Sequence, residues 1–199
     1  GTTASGTIEG NSDLTGTFHT SWYGQEPSGG CLDNSSAISA HTYLASDTKS
    51  FKKMWIITGT SSFTESEVQY SDENCSTMTF YFNKMADNVT IGSELTGLTG
   101  GSNPTKPTSA NKISYQFTKY SLMANTTTTI ASFASRFSIT VTSGEEKKVD
   151  EENIQTEYNI IATEKPSWDD GGNTYLFLAT ASGADNITDW TSNTDTYWK

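Results

Sequence analysis

Apolar and polar residues alternate along much of this chain. The clearest run is Lys112–Met123, where Ile113, Tyr115 and Phe117 alternate with Lys112, Ser114, Gln116 and Thr118. A period of two puts successive side chains on opposite faces, so this run predicts a half-buried β-strand. Ser50–Thr58 carries Phe51, Met54, Trp55, Ile56 and Ile57, and reads as a second strand. Ser61–Tyr70 follows a Thr-Gly-Thr turn with Phe63, Val68 and Tyr70. Thr77–Lys84 places Met78, Phe80 and Phe82 on one face and Tyr81 on the other. Phe137–Thr142 alternates Phe137, Ile139 and Val141. Glu157–Thr163 and Thr174–Ala181 form a last pair around Asp169-Asp170-Gly171-Gly172, which predicts a hairpin turn.

Helical periodicity is scarce. Thr127–Arg136 predicts at most one short helix, with Ile130, Phe133 and Phe137 at spacings of three and four. Thr96–Ala110 is rich in Gly, Ser and Pro and reads as a loop, as does the charged stretch Ser143–Asn153. Seven or eight strands joined mostly by short turns predict an all-β, antiparallel barrel or sandwich. A barrel leaves no exposed strand edges. No repeat or linker divides residues 1–199, so a single domain is expected.

Composition narrows the partners. The formal net charge is −11, so a phosphate backbone or an anionic membrane surface would repel the chain. No apolar run approaches the roughly 20 residues of a membrane span. Aromatic residues reach 12% and can supply much of a core. Cys31 and Cys75 are the two cysteines; they are consistent with one disulfide in an oxidising compartment, or with two buried thiols. The opening Gly-Thr-Thr-Ala-Ser-Gly reads as a mature terminus or a tag remnant; the former fits a secreted, extracellular protein, or a periplasmic one in a bacterium. Asn34, Asn74, Asn88, Asn125 and Asn186 each begin Asn-x-Ser/Thr and are candidate glycosylation sites.

Leu14-Thr15-Gly16-Thr17-Phe18, followed by Trp22-Tyr23, resembles the opening strand of lipocalin-like (calycin) barrels. In that family an aromatic after the Gly plugs one end of the barrel. Here the aromatic is Phe18 where the family has Trp, and Trp22 is the second candidate for the plug. Further along, Phe63-Thr64, Tyr70-Ser71-Asp72-Glu73-Asn74-Cys75 and Val89-Thr90-Ile91-Gly92 resemble a group of small exported lipocalin-like proteins. Cys31, Lys112-Ile113-Ser114-Tyr115, Gly172-Asn173-Thr174-Tyr175-Leu176 and the terminal Tyr197 extend the likeness. The resemblance implies an eight-stranded barrel with a cavity and attaches no chemistry to it. It also places the cysteine pair as a staple on one side of the barrel.

Catalytic signals are sparse. There is no phosphate-binding Gly-rich loop and no Gly-x-Ser-x-Gly elbow. His19 and His41 would bind a metal only if the fold joined them. Asp169 and Asp170 sit where Asp favours a turn. An enzyme is therefore not expected, and no obligatory cofactor or metal is assigned. Aromatics on or beside the strands are the candidate ligand wall: Trp22, Tyr23, Phe51, Trp55, Phe63, Tyr70, Phe80, Phe82, Tyr115 and Phe117. The expected function is a carrier that sequesters a hydrophobic small molecule, such as a lipid, a carotenoid or a tetrapyrrole. The alternative is an extracellular interaction or adhesion protein with a filled core. Trp190 and Trp198 would then be candidates for an exposed patch that could also support a dimer.

Overall fold

The computed structural model describes residues 16–20, 28–33, 35–41, 43–57, 62–101, 105–169, 171–179, 182–191 and 194–198. The strands are β1 (Gly16–Thr20), β2 (Ser50–Ile57), β3 (Phe63–Tyr70), β4 (Met78–Leu95), β5 (Ala110–Ala124), β6 (Lys147–Asp150), β7 (Thr156–Glu164), β8 (Tyr175–Leu178) and β9 (Asp195–Trp198). Two helices accompany them, α1 (Ser35–Ala40) and α2 (Thr127–Phe137). Eight strands close into an antiparallel barrel in the order β1-β2-β3-β4-β5-β7-β8-β9, with β9 pairing back onto β1. Closure leaves every barrel strand a partner on both sides, which removes the exposed edges an open sheet would carry. The ninth strand, β6, pairs only with the C-terminal part of β5, at Lys119–Leu122.

Long strands β4 and β5 form the spine, and both change phase at bulges. In β5 the buried positions run through Ile113 and Tyr115 to the partly buried Phe117. Register then shifts opposite Met85/Ala86, and the series resumes at Tyr120, Leu122 and Ala124. In β4 the series Phe80, Phe82, Lys84, Ala86 resumes at Val89 and Ile91, past a shift between Asp87 and Thr90 where Asn88 takes φ 55°. An extra residue on one strand turns the following side chains to the other face, so each bulge resets which parity points inward.

The barrel interior nearest the start of β1 is a packed apolar cluster. Phe18, Trp55, Ile57, Phe63, Val89, Ile91, Ile113, Tyr115, Ile161, Leu176, Leu178 and Tyr197 are all buried within it. Each large side chain taken fully out of water contributes on the order of 1.5–3 kcal/mol. A second cluster lies on the outer face of β7 and β8. Ile160, Ala162, Tyr175 and Phe177 pack there beneath Leu98 and Trp190, which come from the β4–β5 and β8–β9 connections. The Trp190 Nε1–H donates to the Pro107 carbonyl at 2.7 Å. The Asp189 carboxylate accepts from the backbone N–H groups of Gly100 (3.0 Å), Thr99 (3.2 Å) and Trp190 (2.8 Å), and clamps the two connections together. Gly100 fits because a Cβ there would lie 2.0 Å from the Trp190 carbonyl oxygen.

At the other end, residues 28–48 form a strap. Cys31 and Cys75 are joined by a disulfide, Cα–Cα 5.9 Å, which ties the strap to the β3–β4 turn. Leu32 pairs with Phe51, and Leu32, Ala37 and Phe51 make a small buried cluster. Gln69, fully buried, accepts from Ala45 N–H and the Thr48 hydroxyl through its Oε1 at 3.1 and 2.9 Å. Gly30 lies against the His19 ring in a left-handed conformation, φ 73°, where a Cβ would meet Nδ1 at 2.2 Å. Helix α2 starts from a capping box between Thr126 and Thr129, worth about 1 kcal/mol, and its cap hydroxyl donates to Asp47 of the strap at 2.9 Å.

Three local expectations are corrected. Phe137–Thr142 is not a strand: Phe137 ends α2, Ser138 caps it at φ 53°, and Ile139 and Val141 pack on the Phe80–Phe133 cluster without a ladder partner. The stretch Ser143–Asn153 is not all loop, since it contains β6. The strand expected at Thr77–Lys84 runs on to Leu95, because the bulge carries the polar Asp87-Asn88 pair without ending the ladder. Among the described residues, no helix is long and apolar enough to cross a membrane.

Candidate ligand cleft at the strapped end

Cross-strand register carries the interior from apolar to charged. Phe18 faces Trp55, Trp55 faces Glu65, Glu65 faces Lys84, and Lys84 faces Tyr120. The next row toward the strap is Lys53, Glu67, Phe82 and Leu122. Beyond it lie Phe51, Gln69, Phe80 and Ala124. Helix α2 sets Phe133 flat on Phe80, with ring centroids 3.5 Å apart, and brings Phe137 to 4.8 Å from Phe82.

Two cavities open between these rows, the strap and α2. The smaller, about 180 Å³, is lined by His41, Tyr43, Lys53, Glu65, Ser66, Glu67, Phe82, Lys84 and Arg136. The larger, about 320 Å³, is lined by Phe82, Lys84, Phe117, Lys119, Tyr120, Arg136, Phe137 and Glu151. Phe82, Lys84 and Arg136 belong to both, so the two are lobes of one cleft. The larger lobe lies where β5 changes partner: Gln116 pairs with β7 and Lys119 with β6.

The smaller lobe holds a hydrogen-bonded imidazole–carboxylate pair. His41 Nε2 meets Glu67 Oε1, and Gln69 Nε2 donates to Glu67 Oε2 at 3.3 Å. Burial works to raise the Glu67 pKa. The hydrogen bond and charge of His41, the charge of Lys53 and the bond from Gln69 outweigh it, and hold the carboxyl below its ordinary value. Two of the three cations of the larger lobe, Lys84 and Arg136, lie on aromatic rings instead. The Lys84 ammonium stands 4.2 Å from the Phe117 centroid. The Arg136 guanidinium stands 4.0 Å from Tyr43 and 5.0 Å from Phe137.

The ten sequence-named aromatics divide among several settings. Phe82 and Phe117 line the cleft. Trp55, Phe63 and Tyr115 fill the apolar cluster, with Trp55 stacked on Phe63 at 4.3 Å and Tyr115 edge-on to both. Phe80 lies under Phe133, and Phe51 under the strap with its ring edge-on to His41. Tyr70, half-buried, ends β3 beside the disulfide turn. Trp22 and Tyr23 lie outside the described residues. The charged lining residues, with Tyr43, Tyr120 and Phe137, were not anticipated. The available signal was Lys53, Glu65, Glu67 and Lys84 standing in phase with buried aromatics.

Other expected sites are placed as follows. His19 rests against Gly30, and burial, then the nearby Lys52 charge, lowers its pKa. Asp169 accepts from the N–H groups of Gly171 (3.1 Å) and Asn173 (2.8 Å) and shapes the hairpin turn; Asp170 lies outside the described residues. Trp190 is buried, only 4% exposed, so it forms no surface patch, and nothing is described of the Trp198 side chain. Among the sequons, Asn74 and Asn186 are exposed. Asn88 is exposed with its amide on Gln116, while the half-buried Asn125 donates to the Met78 carbonyl at 3.3 Å. Asn34 lies outside the described residues. No family model matches the chain, and no curated protein matches it.

Proposed function

We propose that this protein is a carrier or storage protein that sequesters a small, largely apolar molecule in the cleft at the strapped end of the barrel. The observation that carries this reading is the larger lobe. It is about 320 Å³ in volume and walled by Phe82, Phe117, Tyr120 and Phe137, at one end of a barrel packed solid at the other. Small-molecule sites are concave, roughly 300–1,000 Å³, mostly apolar, and carry a few placed polar groups. Binding would draw on about 25 cal/mol for each Å² of apolar surface removed from water, less the cost of ordering. The filled apolar cluster favours a compact molecule over a polyene as long as a carotenoid. The likeness to lipocalin-like barrels supports the same reading, and the Cys31–Cys75 disulfide supports an oxidising, extracellular setting. The adhesion alternative loses Trp190 as its surface anchor.

Native mass spectrometry of protein purified without unfolding tests the proposal. The expected spectrum shows a fraction of chains heavier than the denatured chain by the mass of one small molecule, lost on denaturation. Native and denatured masses that agree in protein from its natural source would overturn it.

A further inference from the structure

We infer that the molecule held in the cleft is an aromatic anion whose acidic group sits between Lys84 and Arg136; this rests on the small-molecule reading above. The whole chain carries 23 acidic residues against 12 Lys and Arg, almost two acids for each base. The larger lobe reverses that balance, with Lys84, Lys119 and Arg136 against Glu151. The smaller lobe adds Lys53, Glu65 and Glu67, of which Glu67 is engaged by His41 and Gln69, so the cleft as a whole sets four Lys and Arg against three carboxylates.

Neither Lys84 nor Arg136 forms a salt bridge among the described residues. Glu65 stands directly across from Lys84 in the β3–β4 register. Even so, among the described residues no carboxylate oxygen lies within 4.0 Å of either cation. Both heads rest on rings, and the donor groups pointing away from the rings are committed to no acceptor there. The half-buried Lys84 ammonium and the exposed, ring-held Arg136 guanidinium flank one cleft with no ion-pair partner among the described residues, and in a chain rich in carboxylates that is a place suited to an anion. The planar guanidinium fork matches a carboxylate or sulfonate through two parallel hydrogen bonds, and the ammonium adds a point charge.

The walls specify the rest of the molecule. Phe82, Tyr120 and Phe137 meet at 4.8–5.8 Å between centroids, in tilted and edge-on arrangements. Rings in such geometry accept another ring in offset or edge-on contact. The same two cations disfavour a cationic aromatic, and a neutral one would leave them unpaired.

Two dyes of nearly equal shape test this: anilinonaphthalene sulfonate and its uncharged parent N-phenylnaphthylamine, titrated by fluorescence into the full chain. The sulfonate is expected to bind at a single site about tenfold more tightly than the neutral dye, with the gap shrinking as salt rises. Lys84→Met and Arg136→Met should each weaken the sulfonate about tenfold and leave the neutral dye within about twofold. Glu151→Gln should tighten the sulfonate about two- to threefold at the same single site and leave the neutral dye unmoved, whereas a molten state would raise the binding of both dyes at many sites. Equal affinity for the two dyes, unmoved by all three substitutions, would overturn the anionic class and leave the small-molecule reading standing. Binding of neither dye by the folded chain would overturn both.

Discussion

The two ends of this barrel use the same strands for opposite purposes. At the β1 end, Phe18, Trp55, Ile57, Phe63 and Tyr115 interlock, and side-chain packing alone excludes water. Toward the strapped end, Glu65 and Lys84 already share the row of Phe18 and Trp55, and Lys53 and Glu67 occupy inward positions in the next row. There the interior is closed by pieces brought from elsewhere in the chain: a disulfide-tied strap and helix α2. The first end is stable because its own residues fill it. The second keeps open volume because its inward residues are charged and cannot be buried against one another without partners.

This contrast can be broken from either side. The largest effect is expected at the packed end: Trp55→Ala should cost about 5 kcal/mol in urea unfolding, since the ring is stacked on Phe63 and edge-on to Tyr115. Dye binding by the folded fraction should be nearly unchanged. A loss below about 2 kcal/mol would mean that the cluster relaxes and the two ends are not so different. Next in size, the Cys31→Ser, Cys75→Ser double variant opens a loop of 44 residues' separation and should cost about 4 kcal/mol on chain-entropy grounds. Here the loss should be accompanied by weaker dye binding, because the strap carries His41 and Tyr43 into the cleft wall. Dye affinity equal to that of the parent chain would separate the strap from the site.

The smallest effect concerns pH. The folded Glu67 carboxyl titrates below its unfolded value, so its contribution is full above the unfolded carboxyl range near pH 4.3 and is lost as pH falls through the folded value. Glu67→Gln should therefore be about 1–2 kcal/mol less stable than the parent at pH 7, and the two should converge as pH falls below the unfolded carboxyl range. Denaturant midpoints measured across that range check it; a constant difference would show that the carboxylate charge is not what the strap reads.

The barrel was legible in the chain because its strands are wet on one face. Ile113-x-Tyr115-x-Phe117 announces β5, and the spacing of Ile130, Phe133 and Phe137 announces α2, whose capping box only the structure reveals. The bulges were not legible. A reader who follows the odd positions of β5 past Thr118 points Lys119 and Ser121 inward, whereas the folded chain points Tyr120 and Leu122 there. Phe137, Ile139 and Val141 mimic a strand because they serve one core, though no neighbour hydrogen-bonds them into a ladder. The cleft was hidden for a further reason. Lys53, Glu65, Glu67 and Lys84 stand in phase with buried aromatics, but phase alone does not say which charges will share a cleft or that the exposed Arg136 of α2 joins them. Only the register of three strands and the docking of α2 bring them together.

Strand β8 has a consequence of another kind. Its four residues, Tyr175-Leu176-Phe177-Leu178, are all buried, alternating between the barrel interior and the outer cluster under Trp190. On a strand with one wet face a slip of one residue would expose apolar groups to water and be rejected at once, whereas β8, like Ile160–Ala162 of the adjoining β7, is buried on both faces. On β8 such a slip would exchange one greasy set for another, so hydrophobic patterning provides no proofreading there. Error correction must come from shape: phenyl and phenol rings on one side and isobutyl groups on the other do not fit each other's seats. The Asp189 clamp, which pins the connections over the outer cluster, would then act as the lock that is set only after the right alignment has been found.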